Sequence, residues 1–171
     1  MGRRVVAGVS GSPGSLTALH RAADEARSRG AQLWAVLAWQ APGGGPGGRT
    51  SGAPSLDPVC RAAAAGRLRE ALDAAFGPAG PGVGLAGQVV RGLPGAALVD
   101  AVRGEEDLLV VGTGPRGRLL GGLRPSVARY CVAHAPCPVL TVPPNPLEAE
   151  LEAFRRRNAW RVPLDARELG P

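Results

Sequence analysis

The stretch from Asp107 to Val142, DLLVVGTGPRGRLLGGLRPSVARYCVAHAPCPVLTV, constrains the fold more than any other part of the chain. Leu108 to Val111 is apolar without polar alternation, as in a strand covered on both faces. Gly112, Thr113, Gly114, Pro115, Arg116 and Gly117 follow directly, and so many glycines and prolines predict a loop at the strand's carboxyl end. A helix is predicted from Pro125 or Ser126 to about Ala135. Pro136-Cys137-Pro138 stops it, and Val139 to Val142 read as a final strand. Strand, glycine-rich loop, helix and strand form the unit in which alpha/beta proteins hold anions on loop amides and a helix start. Gly112-x-Gly114-x-x-Gly117 spells the dinucleotide fingerprint, but it is not one. Several residues separate Gly117 from the helix, and residues 132–140 contain no Asp or Glu to meet a ribose.

The rest of the chain repeats the alternation. Val5 to Val9 is a short apolar strand, and Ser12-Pro13 starts a helix with a capping hydroxyl and a proline at its first position. Leu16, Leu19, Ala22, Ala23 and Ala26 recur at helical spacing up to Gly30. Leu33 to Trp39 reads as the second strand. Residues 41–55, rich in Pro, Gly and Ser, predict a flexible loop rather than a second domain. A helix from Asp57 to Phe76 is broken by residues 77–82. A weaker strand over Val83 to Val90 and a short helix over Pro94 to Arg103 precede the fourth strand. Five strands alternating with four helices imply one open, mostly parallel sheet with right-handed crossovers and helices on both faces. Ligands of such sheets bind at the carboxyl ends of the strands. Residues 1–144 form this domain. Residues 145–171 form a charged helical tail with Leu147, Leu151 and Phe154 on one stripe.

Composition bounds the function. The net charge of +6 is carried by Arg, since the chain has no Lys, and favours anionic ligands. Arg155-Arg156-Arg157 lies amid Glu148, Glu150 and Glu152, a poor footprint for nucleic acid. Three cysteines without a CxxC pair argue against a disulfide framework or a zinc site; Cys131 and Cys137 read as buried, inert thiols. Trp34 and Trp39 read as packing residues. The amino terminus lacks a signal-peptide core, and no apolar run reaches membrane-spanning length, so the expected compartment is the cytoplasm.

Several segments together resemble the universal stress protein family. Its members carry a Gly after the fourth strand, then two residues, a Gly, nine residues and Gly-Ser or Gly-Thr. Here Gly112 opens that pattern and Ser126 closes it, followed by Val127. The strand Leu108-Leu-Val-Val-Gly and the run His134-Ala-Pro-Cys-Pro-Val-Leu are similar to the family. So are the opening VVAGVSGSPGSLTALHRAADEA and Gly92-Leu-Pro-Gly-Ala-Ala-Leu-Val. The resemblance spans residues 3–143 apart from a variable middle. It implies a Rossmann-like, adenine nucleotide alpha hydrolase-like sheet of strand order 3-2-1-4-5. It also implies a homodimer through the last strand, and ATP or AMP as ligand, with Mg accompanying ATP. By position, the adenosine side is Gly8, Val9, Ser10 and Ala38. The phosphate side is Gly112, Thr113, Arg116, Gly117, Ser126 and Val127.

Three positions depart from the family. Pro115 and Pro125 stand where it has glycine, and Ser10 stands where an aspartate usually ends the first strand. Proline has no amide hydrogen. Two lost charge-assisted donors, at about 1.5–3 kcal/mol each, amount to roughly two to four decades of affinity. The expected function is therefore a non-catalytic regulatory or binding protein with weakened or lost ATP binding. The alternatives are an ATP- or AMP-binding stress-response switch and a weak nucleotide hydrolase. No catalytic set is legible: Ser10-Gly11-Ser12 is not a nucleophile elbow, there is no Walker lysine, and His20 and His134 adjoin no nucleophile.

Overall fold

The computed structural model describes residues 2–40, 57–113 and 126–145. In chain order the elements are β1 (Arg4–Gly8), α1 (Pro13–Arg29), β2 (Gln32–Trp39), α2 (Asp57–Phe76), β3 (Leu85–Arg91), α3 (Pro94–Ala101), β4 (Leu108–Gly112), α4 (Val127–His134) and β5 (Val139–Val142). The predicted loop over 41–55 and the tail beyond Asn145 lie outside the described residues.

Local chemistry sets the helix ends. The Ser12 hydroxyl accepts from the Ser15 N–H at 3.3 Å at the head of α1. Gly30 closes α1 in the left-handed conformation at φ 58°, which costs glycine no side-chain clash. Gly77 at φ 56° ends α2 and turns the chain into a short 3-10 segment, Gly77–Ala79. Two predicted elements are shorter than the sequence suggests. The third strand begins at Leu85 rather than Val83, because Gly82 at φ 72° is still in the turn. The third helix stops at Ala101, where Val102 becomes extended.

The five strands form one parallel sheet in the order β3-β2-β1-β4-β5. Val5, Val6 and Ala7 of β1 lie beside Leu108, Leu109 and Val110 of β4, and Gly8 lies beside Val36 of β2. Side chains alternate between two cores. Val5, Ala7, Leu33, Ala35, Leu37 and Val110 pack with Leu19, Ala22 and Ala26 of α1 and Ala64 and Leu68 of α2. Val6, Val36, Leu109 and Val111 pack with Leu98 of α3 and Ala128 and Cys131 of α4. Both faces of the central strands are thus covered, which explains their unbroken apolar runs.

At the amino ends of β1 and β4 an ion pair is buried. Arg4 and Asp107 are 5% and 6% exposed and meet at 2.5 Å. Asp107 also accepts the Arg103 backbone N–H at 2.9 Å. Burial pushes the Asp107 carboxyl up. The Arg4 hydrogen bond, the Arg103 amide and the Arg4 charge outweigh that and hold it below the usual carboxylate value of 3.8. The Arg4 and Arg103 guanidinium groups stand 5.0 and 5.3 Å from the Trp34 ring centre. Trp34 is therefore a packing residue, as its sequence context suggests, with a cationic setting that only tertiary structure supplies.

Candidate functional site at the strand ends

Adjacency of β1 and β4 brings the loops after Gly8 and Gly112 to one edge of the sheet. The Val9 N–H donates to the Val36 carbonyl at 2.8 Å and the Thr113 N–H to the Val142 carbonyl at 2.9 Å. Both strands thereby hold their register to the last residue. Gly8, Val9, Ser10, Ala38, Gly112 and Thr113 all sit along this edge, and Ser126 and Val127 open α4. Arg116 and Gly117 lie outside the described residues.

The edge residues divide between the two faces. A Cβ built on Gly8 would stand 2.8 Å from Leu98 Cδ1 and 3.6 Å from Val111, so Gly8 is turned toward α3. Ala38 follows the alternation of Val36 to the same side. A Cβ on Gly112 would stand 2.9 Å from the Gly14 carbonyl oxygen, so Gly112 faces the first turn of α1. Val9 shares that side. Close packing thus requires glycine at 112, where the neighbour is backbone, and favours it at 8, where the neighbour is the flexible end of Leu98. That reason is invisible in a motif and independent of any ligand.

Ser10 is occupied locally. Its N–H donates to Ser15 Oγ at 2.9 Å, and its hydroxyl lies 3.0 Å from the Ser12 hydroxyl. With Gly11 at φ 77°, these three serines shape the turn from β1 into α1. Ser12 and Ser15 are the positioning residues that motif reading missed; the capping signal at Ser12-Pro13 was their only trace.

Thr113 differs from all of these. Its Oγ1 is shut off from solvent and has no hydrogen-bond partner among the described residues. Alternation along β4 turns it to the α3/α4 side, with Gly8 and Ala38. A buried hydroxyl without a partner costs about 1–3 kcal/mol and is normally satisfied. At the start of α4 the Ser126 side chain makes no capping hydrogen bond. The first-turn N–H groups of α4 therefore keep their capacity for an outside acceptor.

The titratable side chains are engaged elsewhere. His20 packs edge-on against Phe76, with ring centres 5.6 Å apart, and His134 stacks on Tyr130 at 4.1 Å. Burial, followed by the neighbouring Cys137, pushes the Cys131 thiol up to about 11, and burial also raises Cys137. Both thiols are held in their unreactive protonated form. No group of three His, Cys, Asp or Glu residues suited to a metal occurs among the described residues.

Order 3-2-1-4-5, helices on both faces and a polar edge shared by the first and fourth strands define a doubly wound alpha/beta protein with a strand-end crevice. Residues 1–143 match the universal stress protein family model, and the chain belongs to that family. Solved structures share its fold. A universal stress protein in complex with cAMP is 24% identical, with TM-score 0.55, over 84% of this chain and 99% of that one. Universal stress protein UspA from Lactobacillus plantarum is 22% identical, with TM-score 0.56, over 82% and 97%. A family member from Burkholderia pseudomallei is 23% identical, with TM-score 0.53, over 83% and 96%. No curated protein sequence matches the chain.

Proposed function

We propose that this universal stress protein is a non-catalytic regulatory protein. Its strand-end crevice takes an adenine nucleotide and holds the outer phosphates of ATP weakly. The observation that carries the reading is the buried Thr113 hydroxyl at the end of β4, which has no hydrogen-bond partner among the described residues. A bound polar ligand supplies the missing partner. The uncapped start of α4 at Ser126 and Val127 offers amides to a phosphate beside it. Arg116 and Gly117 complete the phosphate side by sequence. Gly8, Val9 and Ala38 line the adenosine side, where Ser10, tied to Ser12, offers a hydroxyl in place of a carboxylate.

The weak hold on ATP follows from Pro115 and Pro125, which bring no N–H groups to the loop. A nucleotide with one phosphate needs fewer such donors, and one structural neighbour is a complex with cAMP. Calorimetric titration with AMP, cAMP and Mg-ATP tests the reading. Monophosphates bind, ATP binds no tighter than AMP, and Pro115→Gly with Pro125→Gly raises ATP affinity by about a hundredfold or more. Absence of heat with all three nucleotides at millimolar concentration refutes nucleotide binding. Phosphate release above background refutes the non-catalytic reading.

The same reading makes the protein a cytoplasmic homodimer. β5 is the terminal strand of the sheet, and a second copy would cover its outer edge. Light scattering tests this, with a monomer at micromolar concentration as the contrary result. By sequence, the domain closes near residue 144, ahead of residues 145–171. No helix among the described residues is long and apolar enough to cross a membrane.

A further inference from the structure

We propose a second small-molecule site, distinct from the nucleotide crevice, for an organic anion with a flat apolar body such as an aryl carboxylate. The site is an open cleft of about 560 Å³ at the carboxyl ends of β2 and β3. It lies under the amino-terminal turns of α2. Its volume falls within the range of about 300–1,000 Å³ typical of ligand cavities. Trp39, Pro58, Ala62, Ala65 and Val89 form an apolar lining. Arg61, Asp57 and Arg91 supply its polar groups.

The site is separate because strand side chains alternate. Leu37, Trp39 and Val89 belong to the α1/α2 core. Ala38, Gly8 and Thr113 turn to the opposite face. A ligand in this cleft therefore lies across the sheet from Gly8, Ala38 and Thr113, the side on which the proposed function rests the nucleotide.

Charge selects an anion. Two guanidinium groups meet one carboxylate. Asp57 pairs with Arg91, whose guanidinium carbon stands 5.8 Å from the Trp39 ring centre. Arg61 has no ion-pair or hydrogen-bond partner among the described residues. The amino terminus of the twenty-residue helix α2 opens at the same place and adds positive potential. The apolar lining selects the rest of the ligand. The edge of the buried Trp39 indole, a proline, a valine and two alanines make the lining mainly carbon, which favours a ring system over a sugar or a phosphate ester. The occupant is thus an apolar ring with one carboxylate, its charge at Arg61 and its ring toward Trp39 and Val89.

The test uses the full chain and 1-naphthoate as probe, with 1-naphthalenemethanol as its neutral counterpart, in equilibrium titrations. The proposal expects saturable 1-naphthoate binding, at least about tenfold tighter than that of the neutral compound. Arg61→Gln, on the exposed side of α2, weakens it about fivefold. Ala65→Leu fills the lining and weakens it more than tenfold. Saturating AMP leaves the 1-naphthoate affinity unchanged, because the nucleotide lies across the sheet. No saturable binding at millimolar probe overturns the proposal, as does equal binding of the neutral compound. Competition by AMP overturns it by moving the probe into the crevice. Should Ala65→Leu fail to fold, unchanged affinity in Arg61→Gln is sufficient to overturn it.

Discussion

Replacing Thr113 by Val separates a ligand-binding hydroxyl from a structural one. Valine keeps the β-branched shape at the end of β4 and replaces the hydroxyl with a methyl. Among the described residues the wild-type Oγ1 is buried without a partner. Leaving such a group unsatisfied costs about 1–3 kcal/mol. Removing it therefore stabilises the free protein by about 1 kcal/mol or more, once the loss of partial hydration is allowed for. For a domain of this size that raises the melting temperature by roughly 2–4 °C. Binding responds in the opposite sense. A hydrogen bond from the hydroxyl to a charged phosphate is worth about 1.5–3 kcal/mol, so nucleotide affinity falls at least about tenfold. Thermal unfolding without ligand and calorimetry with AMP and cAMP give the two readings on one sample. A lower melting temperature in the free variant refutes the argument, because it means the hydroxyl already has a partner in solution. Unchanged affinity refutes the placement of the nucleotide beside Thr113.

Other expectations concern the frame around the site. Gly112→Ala places a Cβ 2.9 Å from the Gly14 carbonyl oxygen, a backbone atom that cannot rotate away. A loss of about 1–3 kcal/mol in urea unfolding is expected, and unchanged stability would mean that β4 and α1 separate freely. Asp107→Asn removes one charge of a buried pair and lowers stability at neutral pH by about 3–5 kcal/mol. Because the folded Asp107 carboxyl lies below its unfolded value of 3.8, its contribution is present above that pH and fades as pH falls through the folded value. The variant therefore shows a flatter acid limb in a pH series of unfolding curves. The Cys131 thiol, at about 11 in the fold against 9.0 when free, stabilises fully below pH 9 and less as pH rises. About 2–3 kcal/mol is lost by pH 11, and Cys131→Ala removes that alkaline slope whatever its effect at neutral pH.

Much of this protein was decided by its sequence alone. The ranges of α2 and β5 follow from local signals, and so does the start of α1 at Ser12-Pro13. An N-cap hydroxyl, a proline at the first helical position and a left-handed glycine act within a few residues of chain. The alternation of five apolar runs with four helical segments carries the fold class for the same reason, since burial on both faces leaves no room for polar alternation. Which strands lie side by side is another matter. The residues had only a family likeness to offer for strand order, because strand pairing joins segments far apart in the chain, such as Val5 and Leu108. Tertiary structure also gave Gly8 and Gly112 packing contacts, against Leu98 and the Gly14 carbonyl, that no motif records. It divided the candidate residues between two faces, left Thr113 without a partner among the described residues and gathered Arg61 and Arg91 around Trp39. Each of these depends on what approaches a side chain from elsewhere in the chain, and local sequence carries no record of that approach.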